Sequence, residues 1–489
     1  MESQRPKQSV APNREHSSWR IEGGLPQSRP TWLIQSDKDL SPALQTGDDA
    51  PSSSAEDRHY KRVLNDTSNF LALSALHYMQ DIPFRDYYVW ALSNHNEQRE
   101  VWYQLIGVRQ TVLLTIKLMG DMLSDEQWDL FSKRVAPVNA YLIYEYFSDA
   151  LALGIGREPL HEQGDILRHR LLHNFNEAAS AYLQDKTRST EQYLNSLEPL
   201  SKAVSIFKQS LSPHKHQAIA RDYLVDHLSV HMSEIEYSTF SLLLANLQMC
   251  MDVVSRTEGQ ASSEMIRQGL LDRYQSSNQL LYDTHDSLGN MLVSSAHATM
   301  AIPIIGYYIQ SMVSTMGLDE PFTAIVEDGT LHEALCTLSV LIRLLNDIGT
   351  PLIIQTDEER AKFITQLHLK QRKLRNVRSM SEFLDLISEE HETLLTRIIK
   401  DLRHNEANLA LHDIDEYDSV QDSIAHFGEQ LENWSLFYQT QVSQLKQLMG
   451  TISQQMQDNS VSQLLWRCLK FNEQLYSHAY TVADGEFTN

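Results

Sequence analysis

Leu341-Ile342-Arg343-Leu344-Leu345-Asn346-Asp347-Ile348-Gly349-Thr350 closes the segment that decides how this chain is read. Upstream of it, apolar residues recur at Leu331, Ala334, Leu335, Leu338, Leu341, Ile342 and Leu345. Steps of three and four place them on one face of a helix, and so apolar a face has to be buried. An amide and a carboxylate at the end of a buried helix cost free energy unless they are paired or bind a cation. Asn346 and Thr350 are expected one turn apart on the same face. Amide, hydroxyl and carboxylate oxygens are the donors that a hard cation such as magnesium takes. Arg343, three residues before Asn346, is placed to reach an anion held by such a metal. The plainer reading is a polar helix end stopped by Gly349 and Pro351.

The rest of the chain reads as helical too. Strand signals of period two are missing, and apolar periodicity predicts helices near 60–80, 96–120, 124–153, 160–184, 188–210, 214–256, 262–298, 304–316, 329–350, 357–373, 381–403, 416–449 and 453–477. Six of the fourteen prolines fall in the first 51 residues, among Ser, Gln and Asp, the composition of a disordered tail over 1–57. Nearly all of the other eight read as punctuation between helices. No repeat of fixed period and no sustained heptad is present, which argues against a solenoid or a coiled coil. The expected fold is therefore all-α: one large helical bundle over 58–482, which an N-terminal sub-bundle to about 210 could subdivide, and a tail over 483–489.

Composition narrows the function classes. Lys and Arg number 41 against 64 Asp and Glu, and a net charge of -23 argues against a nucleic-acid partner and against anionic membrane surfaces. Cys250, Cys336 and Cys468 are scattered among apolar residues and read as reduced core thiols. No apolar run is read as approaching the roughly 20 residues of a spanning helix, so no integral membrane segment is expected. The N-terminus has no apolar signal-peptide centre, and the expectation is a soluble, cytoplasmic protein whose oligomeric state the sequence leaves open.

The run Arg343-Leu344-Leu345-Asn346-Asp347-Ile348 followed by Thr350 resembles the second metal motif of class I terpene cyclases, in an unconventional form of the fungal kind. That motif reads Asn-Asp-x-x-Ser/Thr-x-x-x-Glu after an Arg-Leu-x run. Here Ile354 stands at the Glu position and Pro351 precedes it. The resemblance implies the class I terpenoid synthase fold, magnesium held by Asn346 and Thr350, and catalytic roles for Asn346 and Asp347. It also implies diphosphate binding by Arg343. The family's upstream Asp-Asp-x-x-Asp/Glu motif is missing from the folded part. Its closest analogue is Asp222 and Asp226, expected on one face of a helix over 214–256. Glu145 and Asp149, one turn apart at the end of an apolar helix, form a similar pair further from the Asn-Asp segment.

Two other acidic faces compete with Asp222 and Asp226. Asp415, Asp418 and Asp422 are expected on one face at the start of a helix over 416–449, where the helix dipole favours Asp in any case. Asp283, Asp286, Asn290, Ser294 and His297 form a polar stripe on an apolar helix, which more commonly marks a hydrogen-bonded seam between helices. The basic run Arg360, Lys362, Lys370, Arg372, Lys373, Arg375 and Arg378 is either a solvated face or an offset for a diphosphate. Aromatic groups such as Tyr237 and Phe240, Tyr307 and Tyr308, or Trp434, Phe437 and Tyr438 are core or carbocation-stabilising rings.

The expected function is that of a terpene cyclase. It would ionise an all-trans prenyl diphosphate, farnesyl or geranylgeranyl, with magnesium and cyclise the cation to a sesqui- or diterpene. A non-enzymatic all-α interaction or scaffold protein accounts for the charge equally well. Asp413-Ile414-Asp415-Glu416 is a weak match to the acid motif of class II cyclases. A di-iron reading would require Glu-x-x-His on two bundle helices, and Glu158 to His161 is interrupted by Pro159.

Overall fold

The computed structural model describes residues 55–152, 163–184, 194–195, 197–208, 210, 212–282, 287–374, 377–388, 392–403 and 406–477. Both expected tails, all but a few residues of the first, lie outside these. So do Asp283, Asp286, Arg375 and the Glu158–His161 pair. Among the described residues the chain is all-α, with no strands. The helices are α1 (Ala55–Tyr78), α2 (Pro83–Leu92), α3 (Arg99–Leu105), α4 (Val108–Met119), α5 (Asp125–Ala150), α6 (Gln163–Gln184), α7 (Glu198–Ser201), α8 (Pro213–Asp226), α9 (Met232–Glu236), α10 (Thr239–Arg256), α11 (Ser263–Tyr282), α12 (Leu288–Ala298), α13 (Ala301–Met316), α14 (Asp319–Glu327), α15 (Thr330–Ile348), α16 (Thr350–Ile353), α17 (Asp357–Gln371), α18 (Met380–Ile387), α19 (Glu392–Arg403), α20 (Val420–Met456) and α21 (Ser460–Leu475).

Periodicity found the long helices, and local chemistry set their ends. Ser124 caps α5 through a capping box with Gln127, and Thr356 caps α17 with Glu359 in the same way. The single helix expected over 214–256 is three, α8, α9 and α10, and the one expected over 96–120 breaks at Gly107, whose φ is 82°. Pro137 lies inside α5, as it does in the helix expected over 124–153. Helices α2 and α14 were not expected.

Every residue of the stripe from Leu331 to Leu345 is buried. The apolar side chains form one continuous core from Tyr60 to Tyr476. Within it α13 packs against both α5 and α15, while α15 also packs on α20 and α21. Residues Leu288–Met316 are, among the described residues, the one stretch long and apolar enough by length and composition to cross a membrane, which is consistent with the expectation of no integral membrane segment. They are α12 and α13, broken at Met300, whose φ of 61° lies in the left-handed region. A little over half of the stretch's most apolar window is buried against the other helices.

Candidate functional site

A cavity of about 650 Å³ lies among α4, α5, α11, α13, α15 and α21, within the roughly 300–1,000 Å³ of small-molecule sites. Helix α5 lines it with Leu142, Glu145, Tyr146 and Asp149, spaced by three and four so that they share a face. Helix α15 contributes Ile342, Arg343 and Asn346. The first turn of α13 lies between them, adding Ile304 and Ile305, and α21 adds Phe471 and Leu475. Met300, with its strained backbone, lines the same space.

At the α15 side Asp347 is buried and Asn346 half-buried, and both have close partners. Arg343 Nη2 lies 2.7 Å from Asp347 Oδ1, an ion pair without hydrogen-bond alignment. The Leu409 N–H donates to Asp347 Oδ2 at 3.0 Å, and Asn408 Nδ2 donates to the Asp347 carbonyl at 2.8 Å. Burial lifts the Asp347 carboxyl to about 6, against the pull of Arg343 and with a push from Asp401. Arg397 donates from Nε to the Asn346 carbonyl at 2.8 Å and from Nη2 to Asn346 Oδ1. Its guanidinium also lies 5.0 Å from the Tyr476 ring centre. Lys400 Nζ pairs with Asp401 at 3.0 Å and Glu406 at 2.6 Å. Burial alone would lower the Lys400 pKa, but these two carboxylates hold it above the ordinary lysine value. Asp401 is held below the usual carboxylate range: burial pushes it up, and Lys400, Arg397 and Arg343 outweigh that push.

At the α5 side Glu145 is 2% exposed. It accepts from Tyr274 Oη at 3.1 Å and from Asn246 Nδ2 at 3.0 Å. Arg273 Nη2 is 3.2 Å from Glu145 and 2.5 Å from Asp149, so one guanidinium bridges the two carboxylates. Burial raises the Glu145 pKa despite Arg273. Burial would lower the Arg273 pKa, and the two carboxylates raise it instead.

The structure brings only part of the expected site together. Arg343 and Asn346 line the cavity, whereas Thr350 does not. Helix α15 ends at Gly349, with φ 87° and ψ 144°, so Asn346 and Thr350 are not one turn apart on a continuous helix. Thr350 instead donates from Oγ1 to the Glu473 carbonyl at 2.6 Å and from its N–H to the Tyr476 carbonyl at 3.0 Å. Asp222 and Asp226 are exposed on α8, away from the cavity, and Gln98 donates to Asp222. Asp415 and Asp418 precede α20, which starts at Val420 with Ser419 as its cap, so they do not share a helix face with Asp422. Asp415 accepts from the Ser381 N–H at 3.0 Å. Asn290 is exposed, while Ser294 donates to Gln279 at 2.6 Å, as a seam between α12 and α11 requires. Among the described residues of the expected basic run, none lines the cavity, and Arg360 donates to Asp357 and the Gln355 carbonyl. Tyr307, Tyr308 and Tyr438 are core. The cavity's rings are Tyr146, Phe471 and Tyr476.

The donors do not fit a magnesium ion as they are arranged. Arg273 takes the Glu145 and Asp149 carboxylates, Arg397 takes Asn346 Oδ1, and Thr350 Oγ1 is turned onto Glu473. Among the described residues no group of three or more His, Cys, Asp or Glu side chains is placed to hold a metal.

Sequence reasoning passed over Arg273, Arg397, Lys400, Asp401, Glu406 and Asn408. Lys400-Asp401 carries a sequence signal, an adjacent pair of opposite charges set between the apolar Ile398-Ile399 and Leu402. Distance along the chain ranks Glu145 and Asp149 behind Asp222 and Asp226, yet it does not govern which helices share a cavity. No protein-family model, curated protein or solved structure matches the chain.

Proposed function

We propose that the chain is a class I-like terpene cyclase that ionises an all-trans prenyl diphosphate, of farnesyl or geranylgeranyl length, in this cavity. One observation carries the reading: Arg343 and Asn346 of the Asn-Asp segment line the same space as the one-turn acidic pair Glu145 and Asp149. Leu142, Ile304, Ile305, Ile342, Phe471 and Leu475 form apolar wall between and around them, suited to a polyene tail. In the proposed step the bond from the allylic carbon to the diphosphate oxygen breaks and the electron pair leaves with the diphosphate. Arg343 and Lys400 compensate the charge that develops on it. The apolar wall keeps water from the allylic cation, and a double bond further along the prenyl chain supplies the electron pair that closes the ring. The ring faces of Tyr146 and Phe471 stabilise the resulting cation until it loses a proton to the released diphosphate.

The test is incubation of the purified protein with C10, C15 and C20 diphosphates, with magnesium and separately with EDTA, followed by mass spectrometry of hydrocarbon and alcohol products. Product in either arm is the expected result, and none in both sinks the reading. Arg343→Gln should reduce turnover at least about tenfold, the scale of losing a group that compensates charge in the transition state. Asp222→Ala and Asp418→Ala should leave it unchanged, because those side chains lie away from the cavity.

A further inference from the structure

Arg343 and Lys400 reach the cavity from different helices, yet the groups that cap them are neighbours in sequence. Glu406 Oε2 lies 2.6 Å from Lys400 Nζ, and the Ala407 carbonyl accepts from Arg343 Nη2 at 2.9 Å. Glu406 and Ala407 also line the cavity, and their backbone is not helical. Arg343 Nε is buried without a hydrogen-bond acceptor, a donor that a ligand oxygen would satisfy.

Three carboxylates neutralise the cluster, and they differ in how freely they can leave. The side chain of Asp347 is 0% exposed and that of Asp401 3%, both held on helices. Removing either from its cations would strand buried charge, which strongly destabilises a fold. The side chain of Glu406 keeps 31% exposure and can turn outward into water without moving a helix. It is therefore the exchangeable counterion.

We propose that Arg343 and Lys400 form a phosphate-binding subsite at this end of the cavity and that Glu406 is an internal counterion displaced by the incoming ligand. The ligand class is a diphosphate monoester or inorganic pyrophosphate. Either brings more negative charge and more acceptor oxygens than the carboxylate it replaces, suiting the guanidinium fork and the ammonium point charge. The exchange is non-covalent. It rests on the reading of the cavity as a diphosphate site.

Calorimetric titration of inorganic pyrophosphate and of a C15 prenyl diphosphate into the full-length protein and into Glu406→Gln, both in EDTA, tests the exchange. The substitution keeps the size of the side chain while ending its competition with the phosphate. Affinity for both ligands should rise roughly twofold to fivefold, the scale of one partly exposed ion pair. A prenyl diphosphate that tightens while pyrophosphate does not would place the effect on the tail and overturn the subsite. Unchanged or weaker binding of both by the variant, or no binding by either protein, overturns it as well. Product formation from prenyl diphosphates by the unaltered protein separates the two readings. Product together with unchanged variant affinity rejects the subsite and leaves the cyclase reading standing, whereas neither binding nor product rejects both.

Discussion

Asp347 carries the strongest electrostatic tension in the Asn-Asp segment. Its carboxyl is wholly buried, its counterion is Arg343 at 2.7 Å, and its pKa is lifted to about 6 from the ordinary 3.8. A carboxyl whose folded pKa exceeds its unfolded value makes the folded state bind the proton more tightly. Its contribution to stability is present at low pH and is lost as pH rises through the folded value. Asp347→Asn, which keeps an acceptor for the Leu409 N–H, should therefore gain stability relative to the unaltered protein between about pH 4 and about pH 6. Urea denaturation at pH 4.5 and 6.5 measures the difference, and a flat difference would refute the proposed origin of the tension. At the α5 side Arg273 plays the corresponding part for Glu145 and Asp149. Opposite walls of the cavity thus use the same device, a guanidinium placed on the oxygens that a metal would otherwise take.

Helix α15 shows how an element's end can redirect a site. Gly349 adopts φ 87° and ψ 144°, a region open almost only to glycine, and its N–H closes the helix on the Leu345 carbonyl at 2.9 Å. A Cβ there would sit 3.4 Å from Arg397 Cγ, so the space is tight but not closed, and the backbone conformation is the larger obstacle. Gly349→Ala should cost about 1–3 kcal/mol, read from the denaturation midpoint, and a neutral effect would count against the strain. The turn at Gly349 sends Thr350 toward the end of α21, where it bonds the Glu473 and Tyr476 carbonyls. That docking, rather than a place among metal donors, is what the Thr350 hydroxyl does in this fold.

For the molecule as a whole, α13 is the decisive piece. It packs on α5 and on α15 and lies between the acidic pair and the Asn-Asp segment, with Ile304 and Ile305 on the cavity wall. Chain-length preference in the proposed reaction should follow the depth of that wall. Ile305→Ala should cost about 2–4 kcal/mol through the space it opens. It should also raise turnover of the C20 diphosphate relative to the C15, measured in one competition assay. An unchanged ratio would place the limit on chain length elsewhere.

The all-α class, the burial of α15 and the starts of α5 and α17 were legible from the sequence alone. Apolar spacing and capping chemistry are local, and a local pattern survives whatever the rest of the chain does. That Glu145 and Asp149 line the cavity, and Asp222, Asp226, Asp415, Asp418 and Asp422 do not, was decided only by tertiary structure. So were the arginines set on the expected metal donors and the turn of Thr350 away from Asn346. Each depends on which helices meet across α13 and on where α19 and α21 dock against α15, contacts between residues tens to hundreds of positions apart. A hydroxyl, an amide or a carboxylate carries no mark in the sequence of which buried partner will satisfy it.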